Sequence, residues 1–310
     1  MRCDLHVHTI HSGMCTVPVL RRICRESYNE PEAVYECAKR QGMDLVTVTD
    51  HDSIDAAESL RERPDFFLSE EVSCVSPWGT RFHMGVYDIG ERQHLELQRR
   101  RDDAESLLAY LDEQRLLFSI NHPFSSLTGP RAVKDFLWFA ERFAAVETRN
   151  GQMPEECNNY ASWWTLQTRK VALGGSDSHT LAGIGRTYTE VAHAGDKSEF
   201  LGGLRRGLGQ VRGEAGGYWK LTRAVLEIGG SMMYERPWTR LLAPLALAVP
   251  AITAACAVRD LVFARSWRRR LDAERSAILE AHDDRMPLRH LDVGRGGSRL
   301  AGVGSEAAAP

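Results

Sequence analysis

The residues best suited to chemistry stand at the very start of this chain. Asp4-Leu5-His6-Val7-His8-Thr9 places two imidazoles two positions apart. In an extended segment that spacing puts both rings on one face, and Asp4 shares it, where its carboxylate could orient an imidazole. Five later fragments carry the same residue types: Asp50-His51-Asp52, Glu70-Glu71, His83, Asn121-His122-Pro123 and Gly174-Gly175-Ser176-Asp177-Ser178-His179. Imidazoles mixed with carboxylates suit zinc, iron or manganese, whereas magnesium and calcium prefer oxygen donors. A lone His-x-His means little. Six of the eleven histidines, gathered with acids beside apolar runs, point to a metal site.

Such fragments need strands to bring them together. Leu45 to Thr49 reads as a strand covered on both faces, and His51 follows it. Phe66-Phe67-Leu68 leads into Glu71, Phe118-Ser119-Ile120 into His122, and Val171-Ala172-Leu173 into Asp177. The segments between read as helices. Asn29 can cap one that has Pro31 in its first turn and ends at Gly42. Gln93 to Leu116 reads as one long charged helix, with Ala132 to Phe143 and Pro154 to Gln167 as two more. Thr187 to Val191 and Gln210 to Gly213 are late, short strands. This alternation predicts an α/β fold with a parallel sheet, and polar groups at successive strand ends favour a barrel. Gly174 and Gly175 predict a close backbone approach.

In order and spacing, these fragments resemble the PHP family, named for polymerase and histidinol phosphatase, over roughly residues 1 to 215. The resemblance implies a distorted (β/α)7 barrel and metal-dependent hydrolysis of phosphoesters by a metal-activated water. Carried over position by position, it implies two or three divalent ions (Zn, Mn or Fe) on His6, His8, His51, Glu71, His83, His122, Asp177 and His179, with Glu71 bridging. One departure stands out. The family's first motif often continues Ser-Asp-Gly with the Asp as a ligand, whereas this chain reads Ser12-Gly13-Met14. His11 or Cys15 could substitute, or one ion binds weakly.

Several ions with only two carboxylates leave a cationic pocket, which favours a small phosphorylated substrate. Asp50 and Asp52 are candidates to protonate the leaving group. Arg186 and Arg149 are candidates to clamp a phosphate, each with an ordinary surface role as the alternative. An amidohydrolase-type enzyme also begins with His-x-His, but it adds a bridging lysine that no strand end here supplies. A non-catalytic, regulatory metal module is the third possibility, which the missing acid at Gly13 keeps open. His94, His193, His282 and His290 lack such context and are expected to face solvent.

Composition bounds the rest. At 310 residues and 43% hydrophobic content the chain can build one large domain and an extension. A net charge of −3 gives no electrostatic footprint for nucleic acid. Seven scattered cysteines without a CxxC pair, and no secretory signal, predict reduced thiols in a cytoplasm. Residues 1–222 are expected to form the barrel. Residues 223–293 are a helical extension, with Ala273 to His282 as a charged helix, and 294–310 a disordered tail. The extension carries 13 Arg and no Lys through residue 310 against 10 acids, so it is net basic. Within it, residues 241–258 carry no charge and are flanked by Arg240 and Arg259. They are expected to pack on a membrane surface, against the barrel or in a dimer contact, ahead of a membrane anchor.

Overall fold

The computed structural model describes residues 1–273. The expected charged helix beyond Ala273, His282, His290 and the tail at 294–310 lie outside the described residues. Strands β1 (Arg2–Cys3), β2 (Ser69–Val75), β3 (Arg81–Tyr87), β4 (Leu117–Ile120), β5 (Ala145–Asn150), β6 (Val171–Gly175), β7 (Thr187–Val191) and β8 (Gly209–Gly213) form two sheets. The larger runs β2-β3-β4-β5-β6 and the smaller β1-β7-β8. Helices α1 (Pro31–Arg40), α2 (Ala57–Leu60), α3 (Glu91–Arg100), α4 (Ala104–Glu113), α5 (Val133–Arg142), α6 (Glu155–Gln167), α7 (Lys197–Arg205), α8 (Tyr218–Glu235) and α9 (Val249–Ala273) surround them.

The sheet is mixed rather than parallel throughout. The β4/β5 and β5/β6 pairs are parallel, while β2/β3, β3/β4 and the whole smaller sheet are antiparallel. Among the described residues no continuous ladder closes the two sheets into one. Single parallel bridges stitch the gaps instead, at Val7–Ser178, Val46–Phe66 and His51–Glu71. Leu45 to Thr49 is therefore buried and extended but not a laddered strand. Side-chain oxygens have taken the donors a ladder would use: the Val7 N–H bonds Thr49 Oγ1, and the Thr9 N–H bonds Asp50 Oδ1.

Two helical expectations change. Glu30, not Asn29, precedes α1, and the Asn29 amide instead donates to the His8 carbonyl. The long helix at Gln93 to Leu116 is two helices, because Asp103 caps a new one by accepting from the Ser106 N–H. The break turns Leu97 of α3 and Leu107, Leu108 and Leu111 of α4 into one core cluster, while Leu95 stays exposed.

The interior is layered. One cluster gathers Leu45, Phe67, Tyr87, Leu117, Ala145 and Leu173, each on a different segment. Two residues along each segment stand Thr47, Ser69, Gly85, Ser119, Glu147 and Gly175. Two residues further come Thr49, Glu71, His83, Asn121 and Asp177, while a register shift after Glu147 breaks the step in β5 and brings the Asn150 amide to Asp177 at 2.9 Å. The period of two keeps each row on one face, so an apolar floor lies beneath a small or hydroxyl-bearing layer and then the chemistry. The middle layer is hydrogen-bonded: Thr47 Oγ1 lies 2.8 Å from Ser69 Oγ, and Tyr87 Oη 3.0 Å from Ser119 Oγ.

The C-terminal segment divides. Pro237–Ala248 is a 3-10 helix with Pro244 inside it, and α9 continues from it. From Pro237 to Ala273 the helix is long and apolar enough to cross a membrane, and its most apolar stretch is only 6% buried. The far half of α9 is docked, however: Ala264, Trp267 and Leu271 join the main core, and the Trp267 ring stands 5.0 Å from Phe136. The expected junction between residues 222 and 223 falls inside α8. Trp267→Ala should cost about 3–5 kcal/mol by leaving a cavity between α9 and α5. A urea titration checks this, and an unchanged midpoint would mean that α9 does not dock.

Candidate metal centre

The eight residues expected as ligands come together. His6 and His8 follow β1, Glu71 lies within β2, His83 within β3, His122 just after β4, and Asp177 and His179 just after β6. His51 reaches the cluster through its bridge to Glu71. Four overlapping groups of three among them could hold an ion: His8, His51 and His179; His6, His8 and Asp177; His6, Glu71 and His122; and His51, Glu71 and His83. Strain accompanies the convergence, since His122 and Asp177 adopt positive φ of 29° and 50°. Gly175 lets the backbones close up, because a Cβ there would strike the His6 main chain, as the glycine pair predicted.

Glu71 is the centre. Five imidazoles approach its carboxylate: His6 and His122 at 3.2 Å, His51 at 3.3 Å, His8 and His83 at 3.5 Å. Asp177 Oδ1 lies 3.2 Å from His8 Nε2 and 3.5 Å from His6 Nε2. Yet His6 Nε2, His8 Nε2, His51 Nδ1 and His83 Nδ1 are buried without a hydrogen-bond partner. Unsatisfied buried nitrogens cost free energy, so their common aim needs a reason. An ion supplies one. Ligand bonds near 2.1 Å in a tetrahedral shell place neighbouring donor atoms about 3.4 Å apart. The nitrogen–oxygen separations fall in that range, so the donor set fits divalent metals.

Electrostatics agree. Burial alone would raise the Glu71 carboxyl, but the charges of His6, His83 and His51 overcome it and hold the group well below the usual range. Asp177 is depressed in the same way by His6 and His8. Burial, helped by His8 and His83 against the pull of Glu71, pushes His51 down to about 4, a neutral ring ready to donate. His179 goes the other way, to about 9, because Glu26 and Asp177 outweigh its burial.

A supporting shell fixes the donors. Glu147 on β5 accepts from His6 Nδ1 at 2.8 Å, from the His122 N–H at 2.9 Å and from the Asn150 amide at 3.0 Å. Asn121 donates to Glu71 Oε1 at 2.9 Å, and Ser12 Oγ lies 2.9 Å from His8 Nδ1. Glu147 and Glu26 were missed in the sequence. Glu147 could have been found as the acid on the inward row of β5, two residues beyond Ala145. Asp4 has a different task from the one expected: its carboxylate accepts the backbone N–H groups of His6, Ser176 and Gly185, tying β1 to β6.

The other expected residues do not join the cluster. Asp50 is fully buried and accepts from Thr9 and Ser12. Asp52 accepts from the Ser73 N–H and pairs with Arg101 at 2.8 Å. Arg186 is half exposed, 3.9 Å from Glu214, and Arg149 pairs with Glu155. His94 is not solvent-facing, since its Nδ1 lies 2.9 Å from buried Glu70. Neither His11 nor Cys15 appears in a metal-competent group among the described residues.

The model of the PHP-associated family matches residues 157–208, a span that includes Asp177 and His179. Over that span the chain is similar to the PHP-associated family. PsfC from Pseudomonas syringae PB-5123 shares this chain's fold at a TM-score of 0.53, with 17% identity over 75% of this chain and 98% of that one. The lesion-specific endonuclease PfuEndoQ from Pyrococcus furiosus aligns at 0.46, with 18% identity over 68% of this chain and 57% of that one. An uncharacterized protein of Methanocaldococcus jannaschii is 37% identical over 54 residues, so this chain spans 30% of that relative and the match covers 17% of this chain. Removing the buried support with Glu147→Ala should weaken metal affinity about 10–100-fold without unfolding the protein, as read by competition with a chelator. Unchanged affinity would show that Glu147 does not position His6.

Proposed function

We propose that this chain is a PHP-type phosphoester hydrolase, a phosphatase or phosphodiesterase, working with two or three divalent ions such as Zn, Mn or Fe. The observation that carries it is the set of unpartnered imidazole nitrogens converging on Glu71 and Asp177. Bound ions would supply Lewis acidity and lower the pKa of water toward neutrality. His6, His8 and Asp177 would hold one ion, and Glu71 with His83 and His122 another, with Glu71 shared between them. Their net positive charge favours a phosphoryl group over a neutral amide, because fixed cations stabilise charge that develops on its oxygens. Glu147, Asn121 and Ser12 keep the donors aimed. The parallel bridges at Val7, Val46 and His51 support a distorted barrel whose ladders are interrupted where side chains replace them.

Glu71→Ala should abolish turnover of a phosphomonoester and phosphodiester panel and lower the bound metal together. Metal content unchanged in that variant would sink the shared-carboxylate site. A metal-loaded wild type without turnover on the panel would favour a regulatory module.

We also propose that the apolar half of the C-terminal segment rests on a membrane surface. Trp219, Tyr234, Trp238, Leu241, Leu247 and Ile252 are exposed around it, and Arg236, Arg240 and Arg259 flank it. Exposed aromatics with arginines suit a lipid interface that carries negative charge. The docked far half of α9 favours a surface contact over a full span. The protein should sediment with phosphatidylcholine vesicles containing phosphatidylglycerol and less with phosphatidylcholine alone. Absence of co-sedimentation, with a concentration-dependent dimer in its place, would assign the face to a second copy.

A further inference from the structure

The centre has a problem of supply. His8 can offer one ring nitrogen only, because its Nδ1 is held by Ser12. The group with His6 and Asp177 claims that nitrogen. Glu71 is claimed by His83 and His122 on its other side. If each donor serves one ion, apart from the shared Glu71, the pair His51 and His179 has no carboxylate of its own, since the one 3.3 Å from His51 Nδ1 is Glu71 itself. Two neutral nitrogens hold a divalent ion poorly, since nothing offsets its charge.

Glu26 faces that pair. Its Oε2 lies 3.6 Å from His51 Nε2, and its Oε1 3.7 Å from His179 Nε2. Both separations exceed a good hydrogen bond. They lie close to the spacing of about 3.4 Å expected between donors on one tetrahedral ion. The His179 ring is already oriented for this, because its Nδ1 bonds the Asp177 carbonyl at 3.0 Å and leaves Nε2 pointing at Glu26. The carboxylate is largely buried, with 23% of its side chain exposed.

The backbone explains how a residue so far along the chain arrives there. After the short 3-10 turn at Ile10–Ser12 the chain runs out and folds back on itself. Met14 bridges Arg25 in antiparallel fashion, and the Cys15 N–H donates to the Cys24 carbonyl at 3.0 Å. The next bond in register joins the Glu26 N–H to the Gly13 carbonyl, also at 3.0 Å. Residue 26 is therefore the cross-strand neighbour of residue 13, the position where the first motif lacks its acid. Gly13 has a φ of 85°, a backbone state that suits glycine, so this chain turns sharply there and places its acid on the returning strand.

We propose that Glu26 is the carboxylate ligand of a third metal ion, held with His51 Nε2 and His179 Nε2, in place of an acid at residue 13. This rests on the metal-centre reading above. One oxygen and two nitrogens leave positions open for water or a substrate phosphate, and each of the three ions then has at least one carboxylate.

Metal counting tests it. Wild type, Glu26→Gln and Glu71→Ala would each be loaded with manganese or zinc, dialysed against the same free metal, and measured for ions per chain by elemental analysis. Circular dichroism would confirm that each is folded. Glu26→Gln, nearly isosteric, should carry one ion fewer than wild type and keep the rest. The same count in Glu26→Gln as in wild type, whatever that count, would overturn the assignment of Glu26 while leaving the other sites standing. A wild type that binds no metal would overturn the metal centre itself.

Discussion

A single carboxylate organises this molecule. Glu71 is buried on β2 with five imidazoles within 3.5 Å, drawn from four separate segments. Taking one ionised acid from water costs several kcal/mol unless positive charge and hydrogen-bond donors meet it. Here the partners are rings, which can carry protons or share a metal. Acid pH and metal are thus alternative ways of satisfying the same group, and the ions must displace protons to bind. The fold surrounding Glu71 exists to hold those rings against their mutual crowding. Ring centroids of His8 and His179 stand only 4.2 Å apart, and those of His8 and His51 4.7 Å.

The scaffold meets that demand by giving up regularity near the site. Ladders stop at single bridges around Val7, Val46 and His51, and side-chain oxygens from Thr49, Asp50 and Asp4 take over the backbone donors. Buried acids away from the metal positions therefore serve the main chain. Asp4 and Asp50 look like catalytic groups in a sequence, yet each spends its oxygens on N–H or O–H donors of neighbouring loops. Irregular backbone is tolerated beside a functional centre when every polar group still finds a partner.

The gathering of these side chains was legible in the sequence because they travel in pairs two apart or stand at the ends of apolar runs. His6 and His8, and Asp177 and His179, declare their geometry through spacing alone. The α/β class followed from the alternation of patterns, but strand direction did not, since β2 and β3 form a seven-residue hairpin ladder that the composition of Ser69–Val75 does not announce. Asp103 as a cap was hidden within a charged stretch that reads equally well as uninterrupted helix. Glu26 was invisible for another reason. Nothing near it in sequence resembles a ligand motif, and only the antiparallel return from Gly13 brings it back.

The layered interior has a consequence for how such a protein can change. Floor, middle layer and chemistry are set by steps of two along every segment except β5, so a one-residue insertion between Phe67 and Glu71, or between Leu117 and Asn121, would exchange the inward and outward rows. Apolar bulk would then fill the reaction chamber, and charge would meet the helices outside. The segments tolerate almost no drift in length, while the connection that follows His122 has no such phase to keep. Change in this molecule would therefore arise by growth and exchange of that connection, above a chamber whose parity is frozen.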